Sequence, residues 1–322
     1  MEITQLSFHH YELTPKTAPN RLASIQPRRG CLLKVQFADL THAGFADLFP
    51  WPELGDEPLE LQLQALREGT PFRQGAAALS WAYYEAQAKQ KKTTLLSDAS
   101  CSSHVTLLDR TTIPGGFTTA KLKITAEDIH RWVDLERFFA KFPQLLWRLD
   151  FNGLFTTIDA AQGFWDHVSP AAKDRIEFLE DPFNEELMLN PAAIAVFSGT
   201  DVAVDRGPSP YALDLAQVWV IKPVYYSPEY LFTEAKNFTG KLVVTSNMDH
   251  PLGQVIALHA TQKLQKIAGA RLLPGGLLTQ DLYLPHAERS WLKQQGDALW
   301  PTQAGVGWGF TAQLEALAWS DT

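Results

Sequence analysis

Leu145-Leu146-Trp147-Arg148-Leu149-Asp150 is an apolar run that closes on a carboxylate, and the same form recurs along the chain. Ile176-Glu177-Phe178-Leu179-Glu180, Val202-Ala203-Val204-Asp205 and Val218-Trp219-Val220-Ile221-Lys222 repeat it downstream, and Ala120-Lys121-Leu122-Lys123-Ile124 precedes it. His104-Val105-Thr106-Leu107-Leu108 and Leu242-Val243-Val244-Thr245-Ser246 complete a series of short β-like runs. Helical patterns lie between them, at 126 to 141, 227 to 236 and 251 to 267, with Thr125 and Ser227 placed to cap the first two. Strands that alternate with helices are parallel and joined by crossovers. Seven or eight such units without a Gly-rich nucleotide loop predict a closed β/α barrel rather than an open sheet.

The texture differs at both ends. Residues 1–100 carry β-like runs such as Cys31-Leu32-Leu33-Lys34-Val35-Gln36-Phe37, followed by helical patterns at 57 to 68 and 73 to 91. They read as an α+β capping domain, with the barrel at 101–287 and a tail at 288–322 folding back on the cap. Gly305-Val306-Gly307-Trp308-Gly309 lacks a strand–helix context and reads as a turn, not a phosphate cradle. The fold class is therefore α/β, a barrel of the modified TIM type with a cap built from both chain ends.

The charges at the strand ends carry the chemistry. A charge inside a barrel strand, buried on both faces, costs several kcal/mol; at the C-terminal end it projects into the mouth, where sites of this fold lie. One acidic strand end is ordinary. Lys123, Asp150, Glu180, Asp205 and Lys222, each on its own strand, converge on one place. Three neighbouring carboxylates repel one another and raise each other's pKa, and an all-oxygen set suits magnesium; histidines would suit zinc or iron. Two lysines flanking that position, one lowered in pKa by nearby cations, suit proton abstraction α to a carboxylate.

The 322 residues are 45% hydrophobic and 20% charged, with formal net charge -8. That balance argues against nucleic acid, which calls for a basic surface. It leaves room for a small anionic substrate at a local basic cluster. Two cysteines, Cys31 and Cys101, have no zinc-ligand companions. No secretory pattern opens the chain, and no apolar stretch nears the ~20 residues of a membrane helix. A cytoplasmic protein is expected, with oligomeric state unreadable.

Lys121-Leu122-Lys123, Arg148-Leu149-Asp150-Phe151-Asn152, Phe178-Leu179-Glu180-Asp181-Pro182 and Val220-Ile221-Lys222-Pro223 resemble the strand motifs of the enolase superfamily. Asp174 to Glu180, Leu48-Phe49-Pro50-Trp51-Pro52 and Thr245 to Gly253 are similar to o-succinylbenzoate synthases of the proteobacterial type. The resemblance implies magnesium, with manganese as a substitute, on Asp150, Glu180 and Asp205. It implies Lys123 as base and Lys222 as an opposing cation. It implies Lys121, Arg148 and Asn152 in support, and Thr245, Ser246 and Gly275 against substrate. In the family the third ligand is followed by Glu-Ser; here Arg206-Gly207 follow Asp205, with Asp201 the nearest substitute.

The implied reaction is loss of water from a cyclohexadiene carboxylate with a succinyl side chain, feeding menaquinone synthesis. An N-acylamino acid racemase or dipeptide epimerase would use the same residues, and a non-catalytic binding descendant is the third reading. Residues 17 to 29 are a candidate lid whose arginines could attract an anion, or else a solvated loop. His250 could face the substrate, but capping the helix after it is the expected role. His9, His10, His42, His104, His130, His167, His259 and His286 show no ligand spacing and read as structural or surface residues.

Overall fold

Side-chain alternation explains the barrel. In the computed structural model seven parallel strands are hydrogen-bonded in sequence order: β5 (Val105–Leu107), β6 (Thr119–Lys123), β7 (Leu146–Asp150), β8 (Ile176–Glu180), β9 (Asp201–Val204), β10 (Val218–Ile221) and β11 (Lys241–Val244). The residues described are 1–18, 25–107, 113–205 and 214–321, without the side chains of 287 and 288. The two edges of the sheet are joined through residues 272–276, which bridge in parallel to Leu242 and Thr245 on one side and Ser103 on the other. That segment acts as an eighth stave and closes the ring. It was not legible as a strand, because Arg271-Leu272-Leu273-Pro274-Gly275-Gly276 lacks β-branched residues and contains a proline.

Successive strand residues face opposite ways. Leu122, Trp147, Leu149, Leu179, Val202 and Val204 face out and bury against the surrounding helices. Phe178, Ala203, Val218, Val220 and Val243 face in and form a separate plug. One step further along each strand the inner face turns polar: Glu180 follows Phe178, Asp205 follows Ala203, Lys222 follows Val220 and Thr245 follows Val243. The apolar plug thus becomes the floor of a polar mouth.

The helices agree with their sequence signals. Thr125 forms a full capping box with Asp128, and Ser227 accepts a hydrogen bond from the Tyr230 N–H. The helical run from 126 is broken at Arg131 into Ala126–His130 and Trp132–Ala140. His250 caps Pro251–Ala268 through its ring, which accepts from the Leu252 N–H at 3.0 Å.

The cap is an antiparallel sheet of β1 (Ile3–Leu13), β2 (Arg28–Phe37) and β3 (Gly44–Leu48), with α1 (Leu59–Arg67) and α2 (Arg73–Gln90) packed beside it. The C-terminal tail divides. Its last strand, β14 (Ser320–Asp321), adds to β1, and Trp308 is buried with its indole N–H on the Phe45 carbonyl at 3.0 Å. The hairpin β12 (Leu292–Gln295) and β13 (Ala298–Pro301) pairs instead with β4 (Cys101–Ser102), at the entry to the barrel. Leu299 is buried against that strand, so this part of the tail does not join the cap sheet. The 305–309 segment is a turn in which Gly307 and Gly309 take positive φ. Among the described residues, no helix is long and apolar enough to cross a membrane.

Candidate active site

Register brings the strand-end charges level. Lys123 pairs with Asp150 across β6 and β7, and Asp150 with Glu180 across β8. Lys121, two residues behind Lys123, therefore points the same way. Its Nζ lies 2.9 Å from Asp150 Oδ2 and 2.6 Å from Glu180 Oε1. Asn152 holds the other side of Asp150, donating from Nδ2 to Oδ1 at 2.6 Å, from a left-handed backbone at φ 46. Lys222 contacts Asp205 directly. The Asp205 N–H donates to Asp181 Oδ1 at 3.1 Å, and Asp181 is itself left-handed at φ 42. Asp201, by contrast, lies at the opposite end of β9 and pairs with Lys241. Arg206 and Gly207 fall outside the described residues.

A cleft of about 630 Å³ counted out to solvent is lined by Lys121, Lys123, Asp150, Asn152, Asp205 and Lys222. Thr245, Ser246 and Met248 line it too, together with Gly276, Thr279 and Leu54 of the cap. Gly276 faces the cleft. Gly275 does not, and serves the closure of the ring: its carbonyl accepts from the His104 N–H at 2.7 Å and from Ser103 Oγ at 3.0 Å. Gly275, expected against substrate, is thus placed beside the lining residue Gly276 at the closure of the ring. Arg148 also lies beneath the cleft rather than in it, fully buried, its Nε donating to Glu177 Oε2 at 2.6 Å. The register skips Glu177 between its neighbours, which turns that carboxylate toward Arg148.

Electrostatics sorts the two paired lysines. Burial works against charge on Lys121, but Asp150, Glu180 and Asp205 outweigh it and hold its pKa above the ordinary lysine value. Burial lowers Lys123 to about 8, with Lys121 and Lys222 pushing the same way and Asp150 opposing them. Glu180 is raised to about 7, by burial first and by Asp150 and Asp205, against the pull of Lys121. Asp181 is raised well above its usual value by burial, Asp205 and Glu180. Four neighbouring acids in a dry mouth are short of positive charge. That shortage, and a donor set made only of oxygens, fits a hard divalent cation. Among the described residues the acids are not already gathered as a three-ligand cluster: Lys121 spans Asp150 and Glu180, and Lys222 takes Asp205.

The cap completes the mouth. Trp51 Nε1 donates to the Asn247 carbonyl and Asn247 Nδ2 to the Phe49 carbonyl, both at 2.9 Å. The lid expected at 17 to 29 falls partly outside the described residues. Of its arginines, Arg28 makes a two-point ion pair with Glu53 and stacks on Trp51, and Arg29 pairs with Glu60. Arg28 is largely buried in its pair, while Arg29 stays on the surface.

A protein of Bdellovibrio bacteriovorus named o-succinylbenzoate synthase is 31% identical over 327 residues, covering 98% of both chains. The chain belongs to the o-succinylbenzoate synthase family. The family described as "O-succinylbenzoate synthase, N-terminal domain" matches residues 6–88, the cap. The whole architecture is that of the enolase superfamily. A Listeria innocua member superposes with TM-score 0.78 at 14% identity, covering 100% of this chain and 99% of that one. The L-Ala-D/L-Glu epimerase of Bacillus subtilis gives 0.75 at 14%, covering 96% and 98%. The chain is thus an enzyme, a lyase of the dehydratase type, on a superfamily scaffold. The reading as a non-catalytic descendant is set aside by that membership.

Within this synthase family member, sequence reading passed over two residues of the mouth. His104 lines the cleft and was read as structural; Asp181, quoted only within a motif, backs Asp205. Neither carries a spacing signal, since each acquires its partner from another strand.

Proposed function

We propose that the protein is an o-succinylbenzoate synthase that removes water from 2-succinyl-6-hydroxy-2,4-cyclohexadiene-1-carboxylate to give o-succinylbenzoate for menaquinone synthesis. The observation that carries the reading is the register of Lys123, Asp150 and Glu180, with Asp205 and Lys222 completing the arc around one cleft.

Asp150, Glu180 and Asp205 are the residues to hold magnesium, with Asn152 and Lys121 orienting the first two. When bound, the ion would supply the positive charge that lowers the acidity barrier of a substrate carboxylate's α-carbon. Lys123, with a pKa near 8, is the general base. Its neutral Nζ takes the α-proton as the C–H bond breaks. The resulting ammonium gives that proton to the departing hydroxyl on the same face. The C–O bond breaks, water leaves, and the ring electrons close the aromatic sextet. Lys222 stays a cation and opposes the negative charge that builds on the carboxylate. Buried, unpaired Cys31 and Cys101, each pushed up to about 12 by burial, fit a reducing cytoplasm.

The test is turnover of the cyclohexadiene substrate with magnesium, followed by loss of diene absorbance. Lys123→Ala should abolish it while the fold and magnesium binding persist. A protein that turns over only N-acylamino acids would be a racemase or epimerase; Lys123 at the end of β6 and Lys222 just past β10, four staves apart on one cleft, give that second reading its footing.

A further inference from the structure

His104 sits just before β5 with its ring inside the barrel, buried to 2% exposure. Its Nδ1 lies 2.7 Å from Arg148 Nη1. A guanidinium has donors and no acceptor. Nδ1 must therefore accept, which leaves the ring proton on Nε2. Arg148 is itself locked, to Glu177 through Nε and to the Pro274 carbonyl through Nη1 at 2.6 Å. The tautomer is thus fixed by a rigid buried cation.

The free edge of that ring faces the cleft. A Cβ placed on Gly276 would lie 2.9 Å from His104 Cε1 and 3.0 Å from Nε2, and 2.8 Å from Thr245 Cγ2. With no side chain at Gly276, the histidine edge and the threonine close in on the backbone of this stave, and all three residues line the cleft. Thr245 Oγ1 is buried without a hydrogen-bond partner among the described residues. In the ring of staves this part of the cleft lies across from β8, away from Asp150, Glu180 and Asp205.

We infer that His104 is a ligand-binding residue whose Nε2–H donates, with Thr245, to an oxygen on the far part of the substrate. Resting on the proposed function, that oxygen belongs to the succinyl tail, a ketone or carboxylate. Burial, Arg148 and Lys121 all hold the imidazole neutral, so the donor persists across the physiological pH range. A neutral donor selects for an acceptor without adding charge near the lysines.

The experiment compares o-succinylbenzoate with benzoate, which lacks the tail, as ligands of the wild type, His104→Phe and His104→Gln. The Gln side chain can both accept from Arg148 and donate to the cleft. The Phe variant should lose ~10–100-fold in affinity for o-succinylbenzoate, and in kcat/KM through KM, with little change for benzoate. The Gln variant should recover most of the loss. Equal losses on both ligands would reduce His104 to a structural role, and no loss would remove it from the site. In ¹⁵N spectra of the wild type, His104 should remain the Nε2–H tautomer across the physiological pH range and shift on ligand addition. If neither ligand binds the wild type, the proposed function fails. His104 is then judged by the spectrum with an N-succinylamino acid, which carries the same tail: an unmoved Nε2 signal overturns the inference.

Discussion

Lys121 and Lys123 stand two residues apart on one strand and face the same way, yet their surroundings drive them in opposite directions. Lys121 touches two carboxylates and is held charged; Lys123 is buried with cations on either side and is brought down to about 8. A base must be neutral to take a proton, so kcat/KM should rise with pH through an acid limb and level off above it. The midpoint belongs at or below about 8, because bound magnesium adds positive charge beside Lys123 and lowers it further. A limb that persists unchanged in Lys121→Gln would show that the neighbouring ammonium does not tune the base; the expected outcome is an upward shift. Lys222→Arg should keep the charge but misplace it, leaving under about a hundredth of the wild-type rate, on the order of one oxyanion-hole donor. At this scale most of the site was legible in the sequence. A charge after an apolar run has only one economical place to point, which is also why Asp205 and not Asp201 faces the cleft. His104 was illegible because its role depends on Arg148, 44 residues away, and on which ring nitrogen that arginine occupies.

Elements carry a second set of consequences, and the loop after β11 concentrates them. Thr245, Ser246 and Met248 line the cleft, Asn247 ties the loop to the cap, and His250 caps the helix that follows. Between them Asp249 is wholly buried, with both carboxylate oxygens lacking a hydrogen-bond partner among the described residues. Asp47 of β3 lies beside it: a Cβ on Gly253 would sit 2.3 Å from Asp249 Oδ2 and 2.7 Å from Asp47 Oδ2. Asp47 already accepts from Tyr11 Oη at 2.6 Å and the His250 N–H at 3.1 Å. Burial raises Asp249 to about 7, above its unfolded value of 3.8. A carboxyl raised in this way favours the fold below pH 4 and loses that contribution as pH climbs through about 7. Asp249→Asn should remove the loss, since its amide can donate to Asp47. The variant should gain about 1–3 kcal/mol over the wild type between pH 5 and 8, measured by denaturant unfolding. A difference that does not grow with pH would count against the late titration of Asp249 in the fold. Caps such as Thr125, Ser227 and His250 were readable because they act on their own helix. The closing stave at 272–276 was not, because it is held by bridges to both neighbours and not by its own propensity.

For the whole molecule, the chief fact is that the outer faces of the barrel bury into two clusters, joined by the inner plug of Phe178, Ala203, Val218, Val220 and Val243. The helices and outer faces of β5 to β9 bury into a cluster that includes Trp147, Phe151, Phe164, Phe183 and Phe197. The β10–β11 side and the helix Pro251–Ala268 bury instead with the cap, in a cluster joining Leu33, Phe45, Trp81, Trp219, Leu258 and Trp308. Trp81 of α2 fixes this union, its indole N–H on the Pro223 carbonyl at 3.0 Å, one residue past Lys222. The texture change near residue 100 is visible in the sequence, but the seam is not, because it runs through the middle of a regular alternation of strands and helices. The cleft lies on that seam: Lys123, Asp150, Glu180 and Asp205 come from one unit, Lys222, Thr245 and Gly276 from the other. Native-state hydrogen exchange should therefore resolve two opening classes. Amides of β2, β3 and Pro251–Ala268 should open together, and those of Ile158–His167 and Trp132–Ala140 in another unit. Trp81→Phe, which removes the indole donor, should lower protection by about 1 kcal/mol in the first class and spare the second. Magnesium, if held by three carboxylates of one unit, should raise protection in the β6–β9 class first. Uniform protection across the barrel, unaltered in pattern by either change, would mean that the ring unfolds as a single body and that the seam has no energetic meaning.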